Sequence, residues 1–380
     1  MAPDPRFPSG GYPFDDGPRS GAGLAVPGPK ALCHCVTMCR GVMRAAVLKE
    51  YGEPLEIEDV EAPEPAPDGA VVEVEACGVC RSDWHGWQGD WEWLDIQTQP
   101  GQILGHEPAG RVVEVGEEVD GVSEGDHVAV PFNLGDGSCP QCLSGHGNVC
   151  EYGLALGFQR EAQGAFAEQV HVPYADYNAM ALPDGVSARD MAALGCRFMT
   201  AFHALTARGD VGAGDWVTVH GCGGVGLSTV HIADALGARV VAVDIRDAAL
   251  DLATELGADA VVNADGKDGR AVTGAVRGVT DGGAHVSVDA LGVAETCRNS
   301  VFSLRRRGTH VQVGLTTDEE RGEVSLPVER MAMMEADFKG ARGMPPTRYD
   351  ELLRLLESGS IEPGRLVRRE VSLSDVPERL

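Results

Sequence analysis

The feature that most constrains the fold of this chain is a cluster of glycines in its second half. An apolar stretch, Trp216–His220, runs directly into Gly-Cys-Gly-Gly-Val-Gly, and a helical pattern, Val225–Leu236, follows it. In such a strand–turn–helix unit the first glycine permits the tight turn, the second lets the backbone approach a pyrophosphate, and the third allows close helix–strand packing. The helix N-terminus also offers free N–H groups to phosphates. The motif therefore predicts a dinucleotide site at Gly221, Gly223, Gly224, Val225 and Gly226.

An acidic residue at the end of the next predicted strand indicates which dinucleotide binds. Asp244 closes the stretch Arg239–Asp244, where its carboxylate can accept hydrogen bonds from both ribose hydroxyls of NAD and repel the extra phosphate of NADP. Arg246 follows two residues later and has three interpretations: it stacks on adenine, it helps to tolerate a 2′-phosphate, or it is a solvated surface arginine. We expect NAD, with NADP left open.

The two halves of the chain have different patterns. In the second half, short apolar stretches alternate with helical ones such as Asp247–Leu256, which is typical of a doubly wound parallel sheet. The further strands predicted there are Ala260–Asn263, Ala284–Ala290 and Thr309–Val313. The first half, from Met43, has strand-like stretches separated by Gly- and Pro-bearing turns and is predicted to be β-rich. Its strands are Arg44–Leu48, Ala70–Ala76, Ala109–Val115 and His127–Pro131.

The charge balance excludes some partners. The chain has 58 acidic and 31 basic residues, a formal net charge of −27, and only four lysines. A field of this sign repels nucleic acid and anionic membranes, so we expect neither as a partner. It also predicts a salt-rich, halophilic host cytosol, in which carboxylates keep the surface hydrated and salt screens their repulsion. A GC-rich genome would explain the excess of arginine over lysine but not the acidic residues.

Cysteine usage indicates a compartment. The 11 cysteines include two C-x2-C pairs, Cys77/Cys80 and Cys139/Cys142, and are not spread as a disulfide framework. The first forty residues lack the pattern of a secretory signal, and no apolar run reaches the length of a membrane span. A reducing cytoplasm, with thiolates available for metal, is the predicted location.

Four sequence motifs offer metal ligands. Two are cysteine clusters, one running from Cys77 to His85 and one in a Gly- and Ser-rich loop; the other two are Gly-His-Glu and Gly-Cys-Arg. Thiolate and imidazole together suit Zn²⁺ better than harder metals, and three protein ligands leave a fourth position open for catalysis. The candidate ligands are Cys77, Cys80, His106, Cys139, Cys142, Cys150 and Cys196.

From Met43 onward the chain resembles the zinc-containing alcohol dehydrogenases of the medium-chain dehydrogenase/reductase family. The resemblance rests on Cys-Arg-Ser-Asp, Gly-His-Glu, the later Gly-Cys and the glycine motif. It implies a GroES-like β-barrel domain, a Rossmann domain and a catalytic zinc held by Cys80, His106 and Cys196. Cys77 is then not a ligand. Asp83 and Glu107 resemble the family carboxylates that orient the ligand histidine and tune the field at the metal.

The second cluster resembles the structural-zinc lobe of the family, which ordinarily has four cysteines. This chain has Asp136 at the first position, before Cys139, Cys142 and Cys150. A carboxylate can ligate Zn²⁺, so we expect a second zinc bound by Asp136 and three cysteines. The alternatives are three cysteines completed by water, and a lobe that no longer binds metal.

The resemblance also implies a mechanism. An alcohol oxygen binds the open zinc position, its proton leaves through a relay, and its carbon gives a hydride to the nicotinamide. Ser82 resembles the first relay hydroxyl and His85 the histidine that passes the proton on to solvent. Arg81 resembles the pyrophosphate-binding arginine, and Thr200 a residue packed near the nicotinamide.

Aromatic residues suggest the substrate. Four tryptophans follow the first zinc ligand, and the first three have the spacing of one helix face, which core packing alone would also explain. We expect at least one of them, with Phe132, to wall the substrate cleft and to favour short primary or aromatic alcohols. Cys196, where polyol dehydrogenases often carry a carboxylate, argues against polyols. The tryptophans are Trp84, Trp87, Trp91 and Trp93.

Four regions are predicted: a disordered extension (1–42), a GroES-like catalytic domain (43–195) with its lobe at about 133–152, a Rossmann domain (196–328), and a return to the catalytic domain (329–380). The extension contains possible metal ligands, but an over-called start before Met43 is the simpler explanation. In the last region we expect a helix at Arg348–Glu357, a strand near Leu366–Val371 and the start of a truncated helix at Leu373–Leu380. The possible ligands in the extension are Cys33, His34, Cys35 and Cys39.

Other functions remain as alternatives. The same scaffold serves polyol and amino-alcohol dehydrogenases, and a non-catalytic NAD- or zinc-binding relative is a more distant alternative. A zinc-ribbon nucleic-acid binder would need a basic surface, which the charge of −27 opposes. By resemblance we expect a homodimer or tetramer.

Overall fold

The computed structural model describes residues 41–380 except Asp95 and Asp318. The extension predicted before Met43, with its candidate ligands Cys33, His34, Cys35 and Cys39, lies almost wholly outside the described residues.

The first half of the described chain is built from short strands. Strands β3, β4 and β5 lie at the centre of a five-stranded antiparallel sheet with the order β8–β3–β4–β5–β9, while β1 pairs with β2 and β6 with β7. Three short helices lie between these strands. The strands are β1 (Val42–Val47), β2 (Glu56–Glu61), β3 (Ala70–Gly78), β4 (Glu107–Val115), β5 (His127–Ala129), β6 (Asn133–Leu134), β7 (Leu154–Ala155), β8 (Gln169–Val172) and β9 (Met180–Ala181). The helices are α1 (Arg81–Gln88), α2 (Pro140–Leu143) and α3 (Ala175–Asn178).

The second half is a doubly wound sheet. Six parallel strands follow the order β12–β11–β10–β13–β14–β15, so that the chain starts in the middle, winds to one edge and then to the other. The strands are β10 (Trp216–His220), β11 (Arg239–Asp244), β12 (Ala260–Asn263), β13 (Ala284–Asp289), β14 (Leu304–Gln312) and β15 (Asp337–Gly340). The helices are α4 (Ala188–His203), α5 (Gly224–Ala235), α6 (Asp247–Glu255), α7 (Gly269–Val279), α8 (Ala294–Ser303), α9 (Val328–Met334) and α10 (Tyr349–Glu357).

The apolar pattern explains both architectures. The central strands of the parallel sheet are buried on both faces and are almost continuously apolar; Val217, Val219 and Val240 are fully buried. The antiparallel sheet instead alternates: Val72 and Val170 point into a separate core beneath it, while Glu73 is exposed. The structure thus has the β-rich unit and the doubly wound parallel sheet that the two sequence patterns predict.

Three local predictions differ from the structure. Residues 367–371 do not form a strand, and the chain there follows a 3₁₀ turn, Pro363–Leu366, without pairing to a neighbouring strand in the described chain. The predicted final helix is a 3₁₀ turn, Leu373–Glu378, which contains Pro377. The tryptophans do not share one helix face, because α1 ends at Gln88, where Gly89 takes a left-handed conformation.

No helix in the described part of the chain is both long and apolar enough to span a membrane.

Candidate active site

Three elements bring one group of metal-binding side chains together. Cys80 caps α1 just after β3, His106 and Glu107 lie where β4 begins, and Cys196 lies inside α4. The ligand atoms of these four residues all lie within 4.8 Å of one another. The predicted trio is thus assembled from distant parts of the sequence, with Glu107 as a fourth member. Cys77 is not in this cluster.

Glycines make the close approach feasible. Gly195 has φ −26° and ψ −135°, which breaks α4 just before Cys196. A Cβ there would lie 2.7 Å from Cβ and Cγ of Glu107, and a Cβ at Gly78 would overlap the same carboxylate. Backbone from β3 and α4 can therefore pack directly against Glu107 only because both positions lack a side chain.

Asp83 fixes the orientation of His106. Its Oδ1 lies 2.7 Å from His106 Nδ1, and both side chains are about 1% exposed. His106 Nε2 is buried and has no hydrogen-bond partner in the described chain, so the lone pair that a metal requires is directed at the cysteines. Burial opposes a charged imidazole, but the Asp83 carboxylate outweighs it, and the pKa of His106 lies well above its usual value.

The electrostatics of the cluster suit a cation. The Cys196 thiol, despite the opposing effect of burial, and then the His106 imidazole lower the pKa of the Cys80 thiol. Burial and then the Cys80 charge raise the pKa of Glu107 to about 7. Neither carboxylate oxygen of Glu107 has a hydrogen-bond partner among the described residues, and Arg197 forms a long ion pair with it, Nη2 to Oε2, at 3.7 Å. Two thiols, an imidazole nitrogen without a partner and a buried carboxylate are a donor set that fits Zn²⁺.

A histidine in α1 pairs with a carboxylate just beyond the end of the helix. His85 Nδ1 is 2.7 Å from Asp90 Oδ2, and both side chains are partly exposed. The ring stacks on Trp91, with centroids 5.2 Å apart. Ser82 lies half-buried between Cys80 and His85 in the sequence. Cys80, Ser82 and His85 are thus all half-buried at the N-terminal end and along the first turns of α1.

Aromatic rings wall the space beside the metal cluster. Phe132 and Phe158 have ring centroids 5.7 Å and 5.0 Å from that of His106, and Trp91 lies 5.8 Å from Phe158. Thr200, one turn after Cys196, is buried with no partner for its hydroxyl within the described residues. Trp91, although outside the helix, is the tryptophan that contacts both Phe158 and His85, and it is buried.

The glycine motif has the geometry that its sequence predicts. Gly221 has φ +90°, and a Cβ at Gly226 would overlap the Gly221 carbonyl oxygen. A Cβ at Gly223 would meet nothing within 4 Å, so the backbone there borders open space at the N-terminus of α5. Val225 follows Gly224 in the first turn of that helix.

Asp244 stands next to this loop. Its Oδ2 accepts a hydrogen bond from Cys222 N at 2.7 Å, and its Oδ1 accepts from Arg246 N and Nε at 2.9 Å and 3.2 Å. Burial opposes the charge, yet these donors keep the pKa of Asp244 below its usual value. Arg246 therefore pairs with this carboxylate through both its backbone and its side chain. Arg81 is exposed and its guanidinium lies 3.5 Å from the centroid of the Trp84 ring.

The second cysteine cluster forms a separate lobe. The ligand atoms of Asp136, Cys139, Cys142 and Cys150 lie within 4.8 Å of one another. Asp136 Oδ1 accepts hydrogen bonds from Ser138 N and Cys139 N, both at 3.0 Å, which hold the pKa of this carboxyl well below its usual range although desolvation opposes them. The carboxylate is thus ionised and fixed in place, as a metal ligand must be.

Sequence reasoning did not identify three residues of the site. Asp90 and Phe158 carry no motif, and only the tertiary contacts place them beside His85 and His106. Arg197 was visible next to Cys196, but nothing in the sequence indicated that it would turn back toward Glu107. Its Cδ also lies against Gly224.

Two family models match different parts of the chain. Residues 66–184 match the alcohol dehydrogenase GroES-like domain, and residues 224–358 match the zinc-binding dehydrogenase family. An alcohol dehydrogenase of Geobacillus stearothermophilus is 33% identical over 89% of this chain and 95% of its own length. An NAD-dependent alcohol dehydrogenase of Sulfurisphaera tokodaii is 33% identical with the same coverage.

Solved structures agree. The alcohol dehydrogenase of Thermus sp. ATN1 superposes with a TM-score of 0.81 at 31% identity, covering 89% of this chain and 95% of that one. A putative zinc-binding dehydrogenase from Sinorhizobium meliloti, bound to NADP, gives 0.77 at 31% identity, with the same coverage. These relatives confirm the predicted zinc- and NAD(P)-linked oxidoreductase and give no support to the polyol, amino-alcohol or non-catalytic alternatives. The chain belongs to the zinc-containing alcohol dehydrogenases of the medium-chain dehydrogenase/reductase family.

Proposed function

We propose that the protein oxidises small alcohols to aldehydes or ketones, and reduces them in reverse, with NAD as the hydride carrier. The observation that carries the proposal is the cluster of Cys80, His106 and Cys196, walled by aromatic rings and set in the same compact unit as the glycine loop. Bound Zn²⁺ supplies a Lewis acid that acidifies the alcohol hydroxyl, and bound NAD accepts the hydride.

The side chains of the site would orient the metal ligand, exclude water, carry the proton and hold the dinucleotide. Asp83 holds His106 with Nε2 toward the metal, and the aromatic rings of the cleft exclude water. Ser82 and His85 would carry the substrate proton outward, with Asp90 accepting from Nδ1 and thereby keeping Nε2 available. Arg81, Thr200 and the glycine loop would position the dinucleotide, and Asp244 would accept from its ribose.

The proton relay can be tested by rescue. Replacing His85 with Gln should lower kcat while leaving zinc content unchanged, and added imidazole should restore part of the rate. Loss of zinc, or no change in kcat, would contradict the relay.

For the lobe we propose a structural Zn²⁺ held by Asp136, Cys139, Cys142 and Cys150. The fixed carboxylate and the three thiols within ligand distance support it. Metal analysis of purified protein, with NAD-linked oxidation of ethanol, benzyl alcohol, sorbitol and threonine, tests the whole scheme. Two zinc ions per chain and activity on the first two are expected. One zinc would contradict the lobe, and none would contradict the mechanism.

We also propose a domain arrangement, assembly and setting. The catalytic domain spans 43–195 and 329–380 around a Rossmann domain, 196–328, and the protein is a cytoplasmic homodimer or tetramer of a halophile. The charge of −27 supports the last point. Thermal unfolding between 0.1 and 2 M KCl should shift to higher temperature as salt rises; a shift to lower temperature would argue against it. Light scattering reports the assembly.

A further inference from the structure

One arginine lies between the metal cluster and the glycine loop. Arg197 directly follows Cys196 in α4, and its Nη2 lies 3.7 Å from Glu107 Oε2. Further back along the same side chain, its Cδ lies 3.4 Å from the place that a Cβ on Gly224 would take. Gly224 is the first residue of α5, at the end of the helix that offers free N–H groups to phosphates. A single side chain therefore contacts both the metal cluster and the start of this helix.

The guanidinium of Arg197 has hydrogen-bond donors to spare. Its side chain is 17% exposed, and Nε is buried without a hydrogen-bond partner among the described residues. The contact with Glu107 is an ion pair, too long for a hydrogen bond. A guanidinium carries five N–H donors, and a buried donor without an acceptor costs free energy. The position therefore favours an additional acceptor beside Arg197.

The surroundings of the glycine loop leave room for that acceptor. A Cβ on Gly223 would meet nothing within 4 Å. Apart from the helix itself and adjacent residues, the described atoms within 4 Å of a Cβ on Gly224 belong to Arg197 alone. Arg81, which the family resemblance assigns to the pyrophosphate, has its guanidinium over the Trp84 ring in this structure. Arg197 is thus the cationic side chain in contact with the phosphate end of α5.

We propose that Arg197 binds the pyrophosphate of the dinucleotide, while its ion pair with Glu107 joins the cofactor site to the metal cluster. This inference rests on the proposed function, which requires NAD at the glycine loop. A guanidinium fork matches the geometry of phosphate oxygens, and the N-terminus of α5 donates to the same anion. Because the pyrophosphate is a dianion, it can accept from Arg197 and from the helix together.

The first test measures binding without turnover. Calorimetry gives the affinities of the zinc-loaded protein for NADH, for ADP-ribose, which keeps the pyrophosphate, and for adenosine, which lacks it. Arg197→Met should weaken NADH and ADP-ribose about tenfold or more and leave adenosine unchanged. Arg197→Lys should restore part of the loss, because it keeps the charge. An equal loss for all three ligands would indicate a distorted site and would overturn the proposal.

Two further variants separate this role from a structural one. Arg197→Gln keeps a polar side chain without the charge, so it should show the same pattern as the Met variant. Arg189→Met is the matched control, because Arg189 is also an ion-paired arginine of α4 but has a half-exposed side chain and pairs with Glu370. It should bind all three ligands as the wild type does. Zinc content should stay at the wild-type level in every variant, since Arg197 supplies no ligand atom to the cluster.

A second test shows which phosphate Arg197 contacts. NADPH differs from NADH by a phosphate on the adenine ribose, the part of the dinucleotide that Asp244 is expected to bind. If Arg197 binds the pyrophosphate, Arg197→Met should weaken NADH and NADPH by the same factor. A larger loss for NADPH would place Arg197 at the extra phosphate and would overturn the assignment.

The wild type separates the two proposals. If it binds NADH and the Met and Gln variants bind NADH equally well, only the role of Arg197 is overturned. If the wild type binds neither NADH nor ADP-ribose, the proposed function is contradicted together with that role.

Discussion

Asp83 accepts hydrogen bonds from three groups in or next to the metal cluster: Cys80 N at 2.9 Å, Gly105 N at 3.2 Å and His106 Nδ1 at 2.7 Å. It therefore joins two of the proposed zinc ligands through one buried carboxylate. A group in this position sets both the tautomer and the direction of the histidine.

Replacing Asp83 with Asn tests this role. The amide can still accept from one N–H but no longer carries the charge that favours a basic His106. We expect the affinity for zinc to fall about 10- to 100-fold, measured by competition with a chelator. Asp90→Asn, which changes the partner of His85 instead, should keep its zinc. Equal zinc affinity in Asp83→Asn and the wild type would contradict the role.

Two glycines make a second matched pair. Gly195→Ala would place a methyl group 2.7 Å from the Glu107 side chain, in a buried cluster with no room to adjust. We expect a loss of about 1–3 kcal/mol in the free energy of unfolding, as for overpacked cores. Gly274→Ala lies on the exposed face of α7 with nothing within 4 Å. It should gain roughly 0.5–1 kcal/mol from helix propensity. Urea unfolding measures both, and a stable Gly195→Ala protein would contradict the close packing.

At the scale of elements, the cysteine lobe is a loop with little regular structure. It holds one four-residue helix, α2, a 3₁₀ turn (Gly147–Val149) and the two-residue strand β6. Its regular elements are short, and its apolar residues Leu143 and Val149 are exposed. We therefore expect its order to depend on the cluster of Asp136 and three cysteines.

Asp136 is the position to change. Asp136→Ala should lose the lobe zinc and unfold at a lower temperature, whereas Asp136→Cys should retain zinc against a stronger chelator because a fourth thiolate replaces the carboxylate. Asp184→Ala, at an exposed turn, is the control. Zinc content and thermal unfolding measure the effects. An Asp136→Ala protein that keeps two zinc ions would show that the cysteines alone suffice.

At the scale of the whole molecule, a chain of polar groups crosses the core of the Rossmann domain. His310 Nδ1 lies 2.8 Å from Ser300 Oγ, His310 Nε2 lies 3.1 Å from Gln312 Oε1, and Gln312 Nε2 donates to Asp289 at 2.9 Å. His220 lies near Ser303 in the same core. Burial lowers the pKa of His310 to about 4, and burial together with the His310 charge lowers that of His220 to about 3.

These shifts predict acid sensitivity. In the unfolded chain a histidine takes up a proton near pH 6.5, whereas these two resist it in the folded state, so the unfolded state binds more protons below that pH. The contribution of these two neutral histidines to the free energy of unfolding is fully present above pH 6.5 and is lost as the pH falls toward 4. Each histidine should cost roughly 2 kcal/mol at pH 5. Urea unfolding at pH 7.5 and pH 5 should show a smaller difference for His310→Asn than for wild type, and no change for exposed His146→Gln. If His310→Asn lost as much free energy of unfolding between pH 7.5 and pH 5 as the wild type, His310 would not be a cause of the acid sensitivity.

The sequence by itself determined the local units of this protein. Trp216–His220 and the glycines after it form a strand–turn–helix unit with Asp244 nearby, because strand burial, glycine φ angles and helix capping depend on neighbours in the chain. The sequence determined less well where individual helices and strands begin and end. Residues 367–371 have a strand-like pattern but no neighbouring strand to pair with, and Gly89 ended α1 before Trp91.

Only the tertiary structure decided which side chains meet. Cys80, His106 and Cys196 come from three elements, and the sequence alone offered Cys77 as readily as Cys80; the family resemblance, and now the geometry, distinguish them. The place of Glu107 as a fourth member, of Asp90 beside His85, and of Gly343 against Asn133 and Phe132 depends on how sheets and returning segments pack. Such contacts join residues far apart in the chain, so they follow from the packing of the folded core and not from local pattern.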